Sequence, residues 1–180
     1  MLSSLLLSDL VALSRNRWSV VLLADLAAHQ GARFVELVHR LGLPRDSLVR
    51  TLEGAAAAGW VQRNSGYGHP LRPEYVLTSD GARIAAKAAA IAAAQAELGL
   101  TPATLTRWGM PLIGAIGPGH ARFNELAKTL TPATPRAISQ GLQTLTTNSL
   151  VARDIAHGSP PASMYRLTPS GVHLASAVLA

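Results

Sequence analysis

The chain has 180 residues and a mass of 18.8 kDa, which is enough for one ordinary domain or for two small domains that each bury a core. Its composition, 48% hydrophobic and 14% charged, excludes a disordered chain. Sixteen Lys and Arg against ten Asp and Glu give a net charge of +6 at pH 7, which favours a polyanionic partner such as nucleic acid but does not prove one.

The sequence contains no cysteine, and this excludes a disulfide framework, a thiolate zinc site, a cysteine nucleophile and a thiol redox switch. The six histidines are scattered and form no zinc or hydrolase motif, and the glycine-rich runs lack the lysine of a phosphate-binding loop. We therefore expect no enzymatic activity, no metal and no cofactor.

The N-terminal segment predicts a helix over Leu2–Ser14. It has no basic residue ahead of its apolar stretch and contains Asp9, so we interpret it as an amphipathic helix rather than a signal peptide. The most apolar uncharged run, Ala88–Ala96, is about half as long as a bilayer requires. These features predict a cytoplasmic protein that does not associate with a membrane.

Along residues 17–98 the hydrophobic periodicity changes from helical to extended and back to helical. Pro44 is predicted in the first turn of the third of these helices, and Ser79 and Asp80 are predicted to cap the last one. The predicted ranges are Arg17–His29, Phe34–Leu41 and Pro44–Ala58 for three helices, Trp60–Arg63 and Glu74–Thr78 for two strands, and Gly81–Leu98 for an alanine-rich helix.

The second half of the sequence repeats the first at a shift of about 90 residues. With one residue dropped, residues 17–81 share 18 identities with their equivalents in the second half, in the same order. The repeated motifs are Arg17-Trp18 and Arg107-Trp108, Phe34-x-Glu36-Leu37 and Phe123-x-Glu125-Leu126, and Tyr75-x-Leu77-Thr78-x-x-Gly81 and Tyr165-x-Leu167-Thr168-x-x-Gly171. We predict two copies of one module, residues 1–98 with the linking helix and residues 99–180.

The second copy places its third helix over Pro135–Asn148 and its hairpin over Leu150–Leu167. The order of three helices, a hairpin and a helix is typical of a winged helix-turn-helix. The predicted fold is therefore mainly helical with small β-hairpins (α+β). Two such modules in tandem would form an intrachain pseudo-dimer.

These motifs, in this order and twice over, resemble the HxlR-type transcriptional regulators, a winged-helix family related in shape to the MarR group. The resemblance covers both halves of the chain. Regulators of this family carry one module per chain and bind operator DNA as homodimers, so the resemblance implies a bacterial-type regulator of transcription that binds double-stranded DNA. This sequence departs from the family by fusing two modules.

A fused pair can present two different recognition helices and read an asymmetric site. Arg suits guanine and Gln suits adenine in the major groove, and small hydroxyls suit either. The candidate base-reading residues are Arg45, Ser47, Arg50 and Thr51 in the first copy, and Arg136, Ser139, Gln140 and Gln143 in the second.

Basic residues of the wings and helix starts are candidates for contacts to the DNA backbone, which position the protein without reading sequence. They are Arg33, Arg63, His69 and Arg72 in the first copy, and Arg122, Arg153 and His157 in the second.

An alternative function stays open, in which the fold binds or sequesters a small molecule and its DNA binding is weak or lost. Asp46 and Glu53 on the first recognition helix, and the single basic residue on the second, favour this alternative. Since cysteine is absent, any effector must bind without covalent chemistry. The expected place for it is the cleft between the copies.

The oligomeric state follows from the duplication. A pseudo-dimer can satisfy its own interface, so we favour a monomer over a homodimer. Exposed apolar residues in the first helix would instead support a true dimer, and the candidates are Leu5, Leu6, Leu7 and Leu10.

Overall fold

The computed structural model describes residues 4–65, 73–156 and 162–180. Its helices are α1 (Ser4–Leu13), α2 (Ser19–Ala28), α3 (Phe34–Leu41), α4 (Arg45–Ala57), α5 (Ser79–Glu97), α6 (Gly109–Ile116), α7 (Phe123–Thr129), α8 (Pro135–Thr147) and α9 (Pro169–Leu179). Its strands are β1 (Val61–Arg63), β2 (Tyr75–Leu77), β3 (His120–Arg122), β4 (Val151–Ala156) and β5 (Ala162–Leu167). The predicted architecture, helices with small antiparallel hairpins, is confirmed.

The chain folds into two compact units. One is Trp18–Ala93, and the other combines the described residues up to Arg17 with Ala94–Ala180. The module boundary after residue 98 was inferred from the sequence repeat, not from compactness, and it stays a prediction.

The unit Trp18–Ala93 is built on three helices. Leu22 and Leu26 of α2, Leu37 of α3 and Leu48 of α4 are all 0% exposed, as their helical spacing predicts. Strands β1 and β2 pair antiparallel, with Val61 opposite Leu77, and β2 packs against α2. The hairpin is thereby fixed to the same core that carries α4.

The other unit repeats this arrangement around α6, which packs against α7, α8 and α9. Its sheet has the strand order β3-β5-β4, and Tyr165 of β5 lies opposite both Ala121 and Arg153. Strand β3 was not predicted, since three residues between two helices are too few to show a period. In the first unit, the single bridge between Ala32 and Tyr75 takes its place.

The repeated Thr-x-x-Gly motif joins each hairpin to the helix after it. Thr78 accepts a hydrogen bond from the Gly81 amide at 2.9 Å and donates one to the Gly59 carbonyl at 2.6 Å. Thr168 does the same with Gly171 at 3.1 Å and Ser149 at 2.6 Å. These contacts cap α5 and α9 and hold them against the strands.

Glycine is required at the fourth position of this motif because of a close backbone contact. A Cβ on Gly81 would lie 1.8 Å from the Trp60 carbonyl oxygen, and one on Gly171 would lie 1.9 Å from the Leu150 carbonyl oxygen. No side chain fits at either position.

Two predicted helix starts are wrong. Pro44 has extended backbone and is the N-cap of α4, so it lies outside the first turn. Prolines do lie in the first turn of α8, where Pro135 follows the Thr134 cap, and of α9, where Pro169 follows the Thr168 cap. Ser79 and Asp80 lie inside the first turn of α5, because the hydroxyl that caps it belongs to Thr78.

Helix α1 packs against α6, and its residues Leu10 and Leu13 are 0% and 1% exposed. The expectation that Leu10 is exposed is therefore wrong. Leu6 and Leu7 are half-buried, and the side chain of Leu5 lies outside the described residues. Among the described helices, none is long and apolar enough to span a bilayer.

Candidate nucleic-acid interface

Helices α4 and α8 occupy equivalent places in the repeat and each present one face to solvent. Leu48 and Leu52 hold α4 on its core, with exposures of 0% and 4%. Ile138 and Leu142 hold α8 in the same way, at 0% and 2%. Because this side of each helix is buried, the opposite side is exposed to solvent.

The two outward faces differ in charge. On α4, Arg45 and Arg50 are balanced by Asp46 and Glu53, and all four side chains are exposed. On α8, Arg136 is the charged residue of the exposed face, and Ser139, Gln140 and Gln143 supply uncharged hydrogen-bonding groups. The face of α8 therefore carries a net positive charge and that of α4 carries none.

The residues that differ between the two faces are aligned with one another in the sequence repeat. A shift of 90 aligns Asp46 with Arg136, Val49 with Ser139, Arg50 with Gln140 and Glu53 with Gln143. Both carboxylates of α4 are thus replaced in α8, one by an arginine and one by an amide.

Two of the predicted base-reading residues on α4 do not lie on its exposed face. Thr51 is 1% exposed, and its hydroxyl donates a hydrogen bond to the Ser47 carbonyl at 2.6 Å. A buried hydroxyl bonded to its own helix cannot reach a base edge, so Thr51 is removed from the candidate contacts. Ser47 is half-buried.

The hairpin arginines have different partners in the two modules. Arg63 donates to Glu74 at 2.8 Å, and its guanidinium lies 5.6 Å from the centre of the Tyr75 ring. Arg153, at the equivalent position, donates to the Ser163 hydroxyl at 2.8 and 3.1 Å. The charge of Arg63 is therefore neutralised by a carboxylate, whereas the partner of Arg153 is neutral.

The arginines that precede α3 and α7 repeat this contrast. The Arg33 guanidinium forms an ion pair with Glu36 at 3.1 Å, and the Arg33 amide donates to the same carboxylate at 2.7 Å. The backbone hydrogen bond from Arg33 is the main reason that the pKa of Glu36 is lowered. Arg122 donates to Glu125 through its amide at 2.7 Å, and its exposed guanidinium makes no ion pair within the described residues.

One groove lies between α4 and the hairpin of β1 and β2, and another lies between α8 and the hairpin of β4 and β5. The first has a volume of about 450 Å³, and its walls include Phe34, Val49 and Tyr75 together with Glu53 and Glu74. The second has a volume of about 360 Å³, and its walls are mostly polar, with Ser139, Gln143, Thr146, Thr147 and Arg153. The walls are thus mostly apolar in the first copy, where Arg63 lies beside the two carboxylates, and mostly polar in the second.

Three of the predicted backbone contacts, His69, Arg72 and His157, lie outside the described residues. Glu74 and Ser163 are the hydrogen-bond partners of the two hairpin arginines, and neither was among the predicted site residues. The signal available was the repeat itself, because the shift of 90 aligns Glu74 with Met164 and so marks a carboxylate that the second copy lacks. Over the part of the chain that the structure describes, no three His, Asp or Glu side chains are grouped as a metal site would require.

A model of one protein family, described as HxlR-like helix-turn-helix, matches the chain twice, over residues 13–98 and 105–180. The two matches confirm the tandem duplication and together cover most of the sequence. Comparison with curated proteins found no match.

Solved structures of bacterial regulators are similar to parts of the chain. A transcriptional regulator of the MarR family from Porphyromonas gingivalis W83 is 25% identical over 36% of this chain and 64% of its own, with a TM-score of 0.35. A MarR-family regulator from Enterococcus faecalis V583 is 29% identical over 47% and 78%, with a TM-score of 0.43. The diamide-treated YodB from B. subtilis is 26% identical over 43% and 77%, with a TM-score of 0.40.

Proposed function

The chain belongs to the HxlR-like helix-turn-helix family, and from this membership we propose that it is a transcriptional regulator that binds double-stranded operator DNA sequence-specifically in the cytoplasm. In this proposal α4 and α8 enter major grooves as two non-identical recognition helices, and the hairpins contact the DNA backbone. The family is one of regulators rather than enzymes. The observation that carries the proposal is the pair of exposed, differently composed helices at equivalent places of a duplicated fold.

Helix α8 has the side chains that read bases. Arg136 can bond guanine O6 and N7 through two N–H groups, and Gln140 or Gln143 can bond adenine through an amide. All of them are exposed, and α8 has no carboxylate on this face to repel phosphate. We propose that α8 supplies most of the sequence discrimination.

The first module contributes less to affinity in this proposal. Two of its candidate phosphate contacts, Arg33 and Arg63, are ion-paired with Glu36 and Glu74. Each pair must be broken, or its carboxylate brought near a phosphate, before the arginine gains a new partner. In the second module the guanidinium of neither Arg122 nor Arg153 has a carboxylate partner within the described residues, so both charges remain available to phosphate.

The test is an anisotropy titration of the full chain against the DNA upstream of its own gene and against a scrambled duplex, at two salt concentrations. We expect tighter binding to the upstream duplex by a factor of about 10³ or more. Arg136→Ala should reduce that preference by about 5- to 150-fold and leave the scrambled duplex nearly unaffected, because a bidentate base contact is worth about 1–3 kcal/mol.

Lys128→Gln is the matched control, since it removes one exposed positive charge from α7 and leaves α8 itself unchanged. It should preserve the preference for the upstream duplex. Equal, weak and salt-sensitive binding to both duplexes would contradict the proposal, and so would an Arg136→Ala variant that discriminates as well as the original chain.

A second candidate function is binding of a small molecule on a fold with weak or lost DNA binding. The observation that favours it is the apolar groove of about 450 Å³ in the first module, with Phe34, Val49 and Tyr75 beside Glu53 and Glu74. A ligand-binding protein of this kind would show no duplex preference in the same titration.

A further inference from the structure

A separate groove of about 400 Å³ lies away from the recognition helices in the sequence, between the α1–α2 connection and the segment before α6. Its walls include Arg15, Arg17 and Arg107, with Leu105 and Ala103 beside them. All these residues belong to the same compact unit.

Positive charge dominates the walls of this groove. The three arginines are exposed, and no carboxylate is among the lining residues that the structure describes. Within those residues Arg15 and Arg107 form no ion pair, although the Arg107 guanidinium lies 5.8 Å from the centre of the Trp108 ring. No carboxylate of the described residues balances the charges of Arg15 and Arg107, and an anion bound in the groove would do so.

The arginines come from both copies of the repeat. Arg17 and Arg107 each precede the tryptophan of an Arg-Trp motif, and the shift of 90 aligns them. The groove therefore brings equivalent residues of the two modules to one place. A chain with a single module would supply only one of the two.

Ser14 gives a second, independent indication of a ligand. It lines the groove and is only 6% exposed, and among the described residues its hydroxyl has no hydrogen-bond partner. A buried hydroxyl without a partner is costly, so native proteins normally supply one. An oxygen acceptor bound in the groove would satisfy it.

We infer that Ser14, Arg15, Arg17 and Arg107 form a binding site for a phosphate-type oxyanion. A doubly charged phosphate group matches several guanidinium donors and one hydroxyl donor better than a single carboxylate does. Leu105 and Ala103 provide an apolar wall for the rest of a small phosphate ester. The phosphate has two potential sources, a small molecule in solution or the backbone of bound DNA.

The experiment is isothermal titration calorimetry of the full chain with inorganic pyrophosphate at constant ionic strength. The original chain and the charge-matched control Lys128→Gln should bind pyrophosphate equally. Arg107→Gln should bind at least tenfold more weakly, and Ser14→Ala several-fold more weakly. Circular dichroism checks that each variant is folded. If Ser14→Ala does not fold, Arg15→Gln replaces it, because Arg15 is exposed, and it should also weaken pyrophosphate binding.

The source of the phosphate is distinguished by repeating the duplex titration with Arg107→Gln and no pyrophosphate. A lower affinity and a salt slope reduced by about 1 would assign the site to backbone phosphate. Unchanged duplex binding would assign it to a small molecule. Failure of the chain to bind any duplex would refute the proposed function but not this site, because the pyrophosphate measurement involves no DNA.

The inference is overturned if the original chain takes up no pyrophosphate. It is also overturned if Arg107→Gln and Lys128→Gln lose pyrophosphate affinity equally, because net charge alone would then explain the binding.

Discussion

Arg63 donates a hydrogen bond to Glu74 at 2.8 Å, whereas its repeat equivalent Arg153 donates to the hydroxyl of Ser163. Both arginines lie on the first strand of a hairpin that is expected to approach DNA, and they differ in whether a carboxylate neutralises them. The two hairpins therefore differ in the positive charge that they can offer to a phosphate, although the strand register around the two arginines is the same. It also makes the asymmetry testable by single substitutions.

Glu74→Gln should tighten duplex binding several-fold, because it removes the negative charge that holds Arg63. The plot of log affinity against log salt should steepen by about 1, which corresponds to one additional phosphate contact. Glu97→Gln is the control, since Glu97 lies in the last turn of α5 and pairs with His173 at 2.7 Å. Equal gains from both variants would show that net charge, rather than release of Arg63, is the cause.

The proposed recognition helix α4 allows a related substitution. Asp46→Asn combined with Glu53→Gln should raise the affinity of the chain for any duplex, because each change removes a carboxylate from the exposed face of α4. The gain should be larger at low salt, as expected for unscreened repulsion. Anisotropy titrations at two salt concentrations measure it. A loss of affinity would mean that these carboxylates accept hydrogen bonds from bases, as Asp and Glu do from cytosine.

Most of the fold was predictable from the sequence because the helices show a clear hydrophobic period and the same pattern occurs in both halves. Helices α3 and α4 lie within one residue of their predicted ends, and α8 differs by one residue. The site was less predictable. Thr51 is polar in type, but it lies one turn after Leu48 and buries its hydroxyl by bonding back to Ser47. The pairing of Arg63 with Glu74 depends on the register between β1 and β2, which periodicity does not report.

The Thr-x-x-Gly motif predicts a strong effect on stability. Gly81→Ala or Gly171→Ala should reduce the free energy of unfolding by about 1–3 kcal/mol or more, because the added methyl meets a backbone carbonyl that cannot turn aside. Gly54→Ala, inside α4 with nothing within 4 Å of the place that the added methyl would take, should instead be neutral or stabilising by about 0.5–1 kcal/mol. Urea unfolding of the three variants tests this. Equal stability of Gly81→Ala and the original chain would show that the contact is not required.

The capping contact at the start of α3 predicts a dependence on pH. The hydrogen bond from the Arg33 amide, helped by the guanidinium of Arg33, holds the pKa of Glu36 below its ordinary value of 4.5. Because the pKa is lower in the folded chain, the ionised carboxylate stabilises the fold above pH 4.5, and this contribution is lost as the pH falls through the folded-state pKa.

Glu36→Gln should therefore be less stable than the original chain at pH 7, by a few tenths of a kcal/mol because the pair is largely exposed. The difference should shrink as the pH is lowered from above 4.5 through the folded-state pKa of Glu36, since the original chain then protonates the same group. Urea midpoints of the two proteins across this range measure it. A difference that stays constant with pH would show that the Glu36 charge does not contribute, and Glu36→Ala, which also removes the acceptor, should be the less stable variant throughout.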